Sequence, residues 1–488
     1  MLHRRVDTRV RLVSSALVIL LAVSSPALAQ IVPSSGSQAS SGECGDSSTS
    51  ESAGISEAAA RRHDVIETIC ERLIDGYVDE EQGMLLAERI RSRRDAGCYD
   101  GMSSDEDLAG ALTRDLQELS HDLHLTVIPP RPVSTGREGA GDEGRSGSPA
   151  SFFRSVNYGF PRVEVMRDNI GYIELLAFMD APEAFERARH AMSLLKDVDA
   201  LIVDLRRNGG GTRAMLQFLA SYFFAERTVL MTNQTRGASG PEDVSTLDPP
   251  DPRLVQVPLF VLTSRTTCSA AEAFAFGMRI NQRAVLVGEA TAGGGHYGGT
   301  VPVSGGFALW LPHGRTYDKR TGKGFENEGV EPHVALPADQ ALEGALVEAR
   351  TAAKQHGAAR EAEEARIREE LEAAVSAACE LAGSGDVTAA RAELEAGFRA
   401  AACAGLLTEA SINRIGYRIL RAGLPGLAIV AFRHNVERFP ASYNVYDSLG
   451  EAYLEAGEDE KALANYRRSL ELNPRNENAM MKLEELEH

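Results

Sequence analysis

Ser269 lies in the stretch PLFVLTSRTTCSAAEAFAFGMRI, residues 258–280. The apolar run Leu259 to Leu262 is long enough for a buried strand, Thr263 to Thr267 is a polar turn, and an alanine-rich helix starts near Ser269. A hydroxyl held at a helix N-terminus sits beside unpaired backbone N–H groups and partial positive charge, so negative charge developing there would be stabilised. The same residues admit a second reading, because Ser269-x-x-Glu272 is also a capping box in which the serine only accepts a backbone hydrogen bond. As a nucleophile near neutral pH a serine needs an imidazole within hydrogen-bond reach, itself oriented by a third group. Two histidines at the join of a helix and an extended run, His121 and His124 in LSHDLHLTVIPP, are the candidates. The run DLRRNGGG, Asp204 to Gly211, follows an apolar strand, and its glycines let backbone N–H groups approach a ligand closely; a plain tight turn has the same signature.

The elements that must position these groups are legible from periodicity. Val65, Ile66, Ile69, Leu73 and Tyr77 recur at helical spacing, as do Met84, Leu85, Leu86 and Ile90, then Leu108, Leu112, Leu116 and Leu119, which predicts a helical bundle over 56–128. A linker expected to be flexible, 129–160, contains the Gly/Ser/Arg/Glu-rich tract Val133 to Ala150. Strands at Val163–Met166, Ile170–Leu176, Ala200–Val203, Leu259–Leu262 and Ala284–Gly288 alternate with helices at Pro182–Lys196, Met215–Phe224 and after Ser269. That alternation is the mark of an α/β domain whose sheet is covered by helices, here over 161–338, with a hairpin at Thr300–Val303 and Phe307–Leu311. A helical spacer, 339–405, follows. Over 406–488 Gly416, Gly423, Ala428, Phe432 and Pro440 recur 34 positions later as Gly450, Gly457, Ala462, Tyr466 and Pro474, which resembles the tetratricopeptide repeat.

DLRRNGGG, TSRTTCSAAEAFA, GEATAGGG and ENEGVEP, in this order and spacing, resemble the C-terminal-processing-peptidase and tricorn family of serine peptidases. The resemblance implies a Clp/crotonase-like α/β core and makes Ser269 the nucleophile. It implies an oxyanion hole from the N–H of Ala270 and of a glycine in the 209–211 turn, with Gly210 favoured. Members with a Ser–Lys dyad carry lysine in a GxxTxGKG segment, a position occupied here by Gly294. The resemblance therefore moves to the tricorn-like and interphotoreceptor-retinoid-binding-like branch, whose base is a histidine in a D-x-H-L segment, matched by Asp122-Leu123-His124-Leu125. Glu326 is the implied supporting acid. Where the tricorn pattern has serine before the histidine this chain has Leu123, so a water or Ser120 is the expected go-between. His296 is expected to line the substrate side, and Asp204 with Arg206 to form a structural ion pair. No metal-ligand spacing or dinucleotide motif is present, and the expected chemistry needs no cofactor.

The net charge of −19 argues against a nucleic-acid partner. Residues 1–29 read as a secretory signal: Arg4, Arg5, Arg9 and Arg11 precede the apolar run Leu12 to Val23, and Ala27-Leu28-Ala29 gives an A-x-A cleavage site. A leader expected to be flexible, 30–55, follows. The expectation is an exported protein, periplasmic or secreted, with no integral membrane segment after signal cleavage. Of six cysteines, Cys70 with Cys98 and Cys379 with Cys403 are candidate local bridges, and Cys268 reads as a small buried filler. The functional expectation is a peptidase acting on peptides or proteins, with the repeats binding a protein partner. A non-catalytic ligand-binding or scaffold protein on the same fold is the alternative.

Overall fold

The computed structural model describes residues 50–130, 149–248 and 250–487. The expected signal segment, most of the leader and nearly all of the 133–150 tract lie outside the described residues. The chain divides into two compact units, one ending at His356 and the other beginning at Gly357.

The first unit opens with three helices, α1 (Ser50–Gly76), α2 (Glu80–Asp95) and α3 (Asp105–Ser120). Asp79 caps α2 by accepting the Gln82 N–H at 2.8 Å, and Ser104 caps α3 by accepting the Asp107 N–H at 3.0 Å. Helix α1 buries Val65, Ile66, Ile69 and Leu73, one stripe at helical spacing. This stripe is not closed within the bundle, because its core continues into Val303, Phe307, Leu309 and Leu311, which come from much later in the chain. Helix α1 begins inside the segment expected to be leader. Likewise α4 (Pro149–Ser155) lies inside the expected linker. Neither candidate disulfide forms: Cys70, Cys98, Cys379 and Cys403 are all free, Cys70 being buried against the Ala87 carbonyl while Cys98 is exposed.

A six-stranded sheet forms the centre of the first unit. In chain order its strands are β2 (Arg162–Met166), β3 (Ile170–Glu174), β4 (Ala200–Asp204), β7 (Leu259–Thr263), β8 (Ala284–Gly288) and β11 (Val334–Ala335). Their spatial order is β11-β8-β7-β4-β3-β2, all pairings parallel except that of β2 with β3. Strands β4 and β7 are buried on both faces and so read as unbroken apolar runs. Leu201, Val203 and Val261 face helices α5 (Pro182–Leu194), α6 (Arg213–Ser221) and α7 (Ala270–Ile280). The alternate residues Ile202, Phe260 and Leu262 face Ala341, Ala345 and Ala349 at the start of the long helix α8 (Ala341–Gly383).

Of a second, antiparallel sheet only the hairpin at Thr300–Val303 and Phe307–Leu311 was expected from the sequence. The sheet comprises β1 (Thr126–Ile128), β5 (Val229–Thr235), β6 (Glu242–Ser245), β9 (His296–Pro302) and β10 (Ala308–Tyr317). Its order is β1-β10-β5-β6, with β9 also pairing β10. The pairing of β1 with β10 sets Thr126 opposite Trp310 and so anchors the segment that follows α3.

The second unit is helical. The rest of α8 is followed by α9 (Val387–Cys403), α10 (Glu409–Arg421), α11 (Pro425–Arg438), α12 (Tyr443–Glu455), α13 (Asp459–Leu472) and α14 (Glu477–Glu487). The 34-residue spacing has a packing counterpart. Gly416 lies against the Phe432 ring and Gly450 against the Tyr466 ring, so α10 meets α11 and α12 meets α13 at a glycine in each case. No helix among the described residues is long and apolar enough to cross a membrane.

Candidate active site

Strand β7 delivers the chain into a turn that is hydrogen-bonded at every step. The Ser264 N–H donates to Thr267 Oγ1 at 3.0 Å, the Thr267 hydroxyl donates to the Leu205 carbonyl at 2.8 Å, and the Cys268 N–H donates to the Asn208 carbonyl at 3.1 Å. Ser269 then occupies the N-cap of α7 with φ 57° and ψ −121°, a conformation that L residues rarely adopt. The turn therefore holds a strained serine at the mouth of a helix. Ala270, the first residue of α7, has an N–H with no acceptor inside its own helix.

Glu272 is the organiser that the sequence reading assigned only to a cap. It is fully buried, and its carboxylate accepts four hydrogen bonds: from the Ser269 N–H at 2.8 Å, the Thr291 hydroxyl at 2.6 Å, the Gly293 N–H at 2.7 Å and the Gly294 N–H at 2.8 Å. Burial raises its pKa, and these donors pull in the opposite direction. One side chain thus clips the glycine-rich loop after β8 to the start of α7. Thr291 Oγ1 also accepts the Val330 N–H at 2.7 Å, which brings the ENEGVEP segment into the same cluster.

His124 is carried by the link between α3 and β1. The Asp122 N–H donates to Ser120 Oγ at 3.0 Å, the His124 N–H donates to Asp122 Oδ1 at 2.9 Å, and the Gln117 amide donates to the carbonyls of Leu123 and Leu125. The ring is 1 % exposed and stacks on Trp310, centroids 4.8 Å apart, and neither ring nitrogen has a hydrogen-bond partner among the described residues. Burial pulls its pKa below the ordinary histidine value, with the Asp122 charge opposing. His124, Trp310, Ser269 and Ala270 line one cavity of about 240 Å³, floored by Leu216, Met231 and Phe325. His121 stands apart: it is exposed and ends α3 in the left-handed conformation, its backbone N–H donating to the Gln117 carbonyl.

The glycine turn after β4 comes closest to Ser269 at Gly210. A Cβ there would stand 2.8 Å from Ser269 Cβ and 3.3 Å from the Ala270 nitrogen, and its φ is 115°. Only glycine fits. Its N–H, expected in the oxyanion hole, donates instead to Asn208 Oδ1 at 2.9 Å, while Gly209 and Gly211 line the cavity. The Asn208 side chain two residues upstream is well placed to close such a turn, a competitor that the glycines themselves do not advertise.

Glu326 does not reach His124 through Ser120, whose hydroxyl is taken by the Leu116 carbonyl and the Asp122 N–H. Instead Glu326 Oε2 accepts the His296 N–H at 2.6 Å and Oε1 lies 3.5 Å from His296 Nδ1. His296 Nδ1 is in turn 2.8 Å from Asp122 Oδ2, which also accepts the Tyr77 hydroxyl at 3.1 Å. Burial and the Asp122 charge push Glu326 up to about 7. For His296 burial is outweighed by the Asp122 hydrogen bond and the Glu326 charge, so its pKa is raised. Asp122, His296 and Glu326 offer ligand atoms within 4.8 Å of one another, enough to surround a cation. The 2.8 Å contact is a hydrogen-bond length, and a shared proton accounts for it. Elsewhere Arg206 and Asp204 pair at 2.6 Å, with the Tyr172 hydroxyl donating to the same carboxylate.

A strand, a strained serine at a helix mouth, a glycine turn and a buried histidine in one cavity are the parts that acyl transfer by a serine requires. Residues 169–336 match the model of peptidase family S41, and residues 50–152 match the N-terminal domain that accompanies this peptidase in eukaryotic IRBP; the chain belongs to peptidase family S41. It is 29 % identical over 170 residues to the chloroplastic carboxyl-terminal-processing peptidase 2 of Arabidopsis thaliana, an alignment covering 34 % of this chain and 32 % of that protein. It is 33 % identical over 129 residues to the carboxyl-terminal-processing protease of Synechocystis sp., covering 26 % of this chain and 29 % of the relative. The chain thus spans about a third of the length of these curated relatives. Among solved structures, the photosystem II D1 C-terminal processing protease aligns with a TM-score of 0.39 at 18 % identity, over 58 % of this chain and 96 % of that one.

Proposed function

We propose that this protein is an exported serine peptidase that cleaves peptide bonds through an acyl-enzyme, with Ser269 as nucleophile and His124 as base. The observation that carries the proposal is the shared cavity: a strained helix-mouth serine and a buried histidine whose ring nitrogens have no hydrogen-bond partner among the described residues. His124 takes the Ser269 proton as Oγ attacks the substrate carbonyl carbon, then gives it to the leaving amine; water attacks the acyl-enzyme by the same route in reverse. The oxyanion is held by the Ala270 N–H, with a second donor from the glycine turn, where Gly210 becomes available only by releasing Asn208. Glu326 supports the base at a distance, and the reaction requires no cofactor. The helical repeats bind a peptide or protein partner, and the site of action is the periplasm or the exterior.

A fluorophosphonate probe tests this. Wild-type protein is expected to label and Ser269→Ala to remain unlabelled; a folded wild type that does not react supports the non-catalytic binding alternative. His124→Ala is expected to abolish labelling and His121→Ala to preserve it, and the reverse result would reassign the base.

A further inference from the structure

We propose that His296 is a positioning residue for the base: a second imidazole that ties Glu326 to Asp122 and, through Asp122, sets the charge and orientation of His124. The inference rests on the peptidase reading of the site. Asp122 is the hub. It is 1 % exposed, and its Oδ1 fixes the His124 backbone while standing 3.8 Å from His124 Nδ1. Its Oδ2 is shared by His296 Nδ1 and the Tyr77 hydroxyl. His296 is the one of these groups that reaches the far carboxylate, and it does so twice, through backbone N–H and ring.

The residue before His124 is Leu123, which offers no side-chain hydrogen bond, so the acid that supports the base must come from elsewhere. Asp122 is near enough but shares a buried cluster with Glu326, and two carboxylates at close quarters repel. An imidazolium between them offsets part of the repulsion and fixes Oδ2, leaving Oδ1 to face His124. The groups around His296 are Asp122, Glu326, Arg315, Tyr77 and His124. Those facing His124 are Asp122 and His296, with Trp310 stacked on its ring and Cys268 and Glu272 across Gly294. The positive charge on His296 discourages a resting proton on His124, and Asp122 stabilises the one that arrives from Ser269. No proton leaves His296 in this scheme, so charge and atoms balance within the Ser269–His124 transfer.

Trp310, the chain's only tryptophan, gives a readout independent of activity, because an imidazolium stacked on an indole quenches its fluorescence. The experiment follows Trp310 emission against pH and fluorophosphonate labelling rate in wild type and His296→Gln, with far-ultraviolet circular dichroism to establish folding. His296→Gln keeps the backbone N–H to Glu326, so loss of that bond is not tested. With the cation gone, His124 holds its proton to higher pH: the quenching midpoint is expected to rise, and labelling at neutral pH to slow by about 10²-fold, the scale of a misplaced catalytic group. Glu326→Gln, which weakens the hold of His296 on its proton, is expected to move the midpoint the same way by less, and it decides the matter if His296→Gln does not fold. An unchanged midpoint in a folded variant overturns the proposal, even with slower labelling, since a purely structural role would slow the reaction without moving it. A wild type that never labels overturns the peptidase reading instead, and the fluorescence midpoint still decides whether His296 governs His124.

Discussion

Gly294 and His124 occupy the same space: a Cβ on Gly294 would stand 2.7 Å from His124 Cε1 and 3.2 Å from both Cys268 Sγ and Glu272 Oε2. The histidine ring edge stands where a side chain at 294 would begin. A side chain at this position would therefore have to displace His124, which gives a physical reason for glycine in GEATAGGG. Gly294→Ala is expected to displace the ring, to cost about 1–3 kcal/mol through overpacking and to lower the labelling rate sharply. Gly294→Lys is expected to lose labelling, since it evicts His124 without a prepared lysine site. Urea denaturation and probe kinetics on the two variants check this, and a Gly294→Ala protein labelling at the wild-type rate would refute it.

The pH dependence of labelling separates His124 from Glu326. His124 must be neutral to act, and burial lowers its pKa below 6.5, so the acid limb of the labelling rate is expected below that value. Glu326 is raised from 4.5 to about 7, so between those values the native state keeps a proton that the unfolded chain has lost. Its contribution is therefore present at low pH and lost as pH rises through that window. Glu326→Gln has no such titration. Relative to the variant, wild type is expected to lose about 3 kcal/mol of stability between pH 4.5 and 7, and little outside that range. Urea midpoints at several pH values measure it, and parallel curves would show that Glu326 is not perturbed.

Glu272 holds four donors with one carboxylate, three of them backbone N–H groups. Glu272→Ala strands buried donors and is expected to cost about 3 kcal/mol or more, and to stop labelling by releasing both the serine turn and the glycine loop. Glu272→Gln is expected to be intermediate in stability, because its amide group presents hydrogens to a site built of donors. Thermal melts rank the three proteins, and equal stability of the alanine variant and wild type would contradict the role.

What the sequence disclosed follows from how local each signal is. Strands β4 and β7 are continuous buried runs, and β3 and β8 are nearly so, interrupted only by Glu174 and by the exposed Val285, so their burial is written in place. Of the second sheet the β9–β10 hairpin was legible, whereas the rest was hidden because β5 reads VLMTNQT and β6 EDVS, mixed polar segments that become strands by pairing with β10 and with each other. Composition marked Ser269, the glycine turn and the two histidines as candidates, and the resemblance singled out Ser269 and His124 among them. The Asp122–His296–Glu326 connection did not, since its members are separated by 174 and 30 positions and meet only when β9 returns beside β10. Trp310 likewise acquires its place against His124 from the β1–β10 pairing.

The two glycine contacts in the helical unit differ in tightness. A Cβ at Gly416 would lie 2.5 Å from Phe432, whereas at Gly450 the nearest atom of Tyr466 is 3.0 Å away. Gly416→Ala is therefore expected to destabilise the unit more than Gly450→Ala, and Phe432→Leu to relieve part of the first penalty by shortening the opposing ring. Thermal melts of the full chain decide it; equal losses would mean that the helices slide apart freely.

Strain at the nucleophile is separable from its chemistry. Ser269 holds φ 57° because the turn before it and the helix after it are both fixed, by Thr267 and Cys268 on one side and Glu272 on the other. Ser269→Ala removes the hydroxyl and keeps the Cβ, so the strain stays. Ser269→Gly removes both, and glycine accepts positive φ at no steric cost. Its unfolded chain is more flexible, which offsets part of the gain. With strain of this kind at about 1–3 kcal/mol, Ser269→Gly is expected to be about 1 kcal/mol more stable than Ser269→Ala, although neither labels. If the alanine variant were the more stable, the positive φ at position 269 would carry no strain and the case for a strained serine would fail.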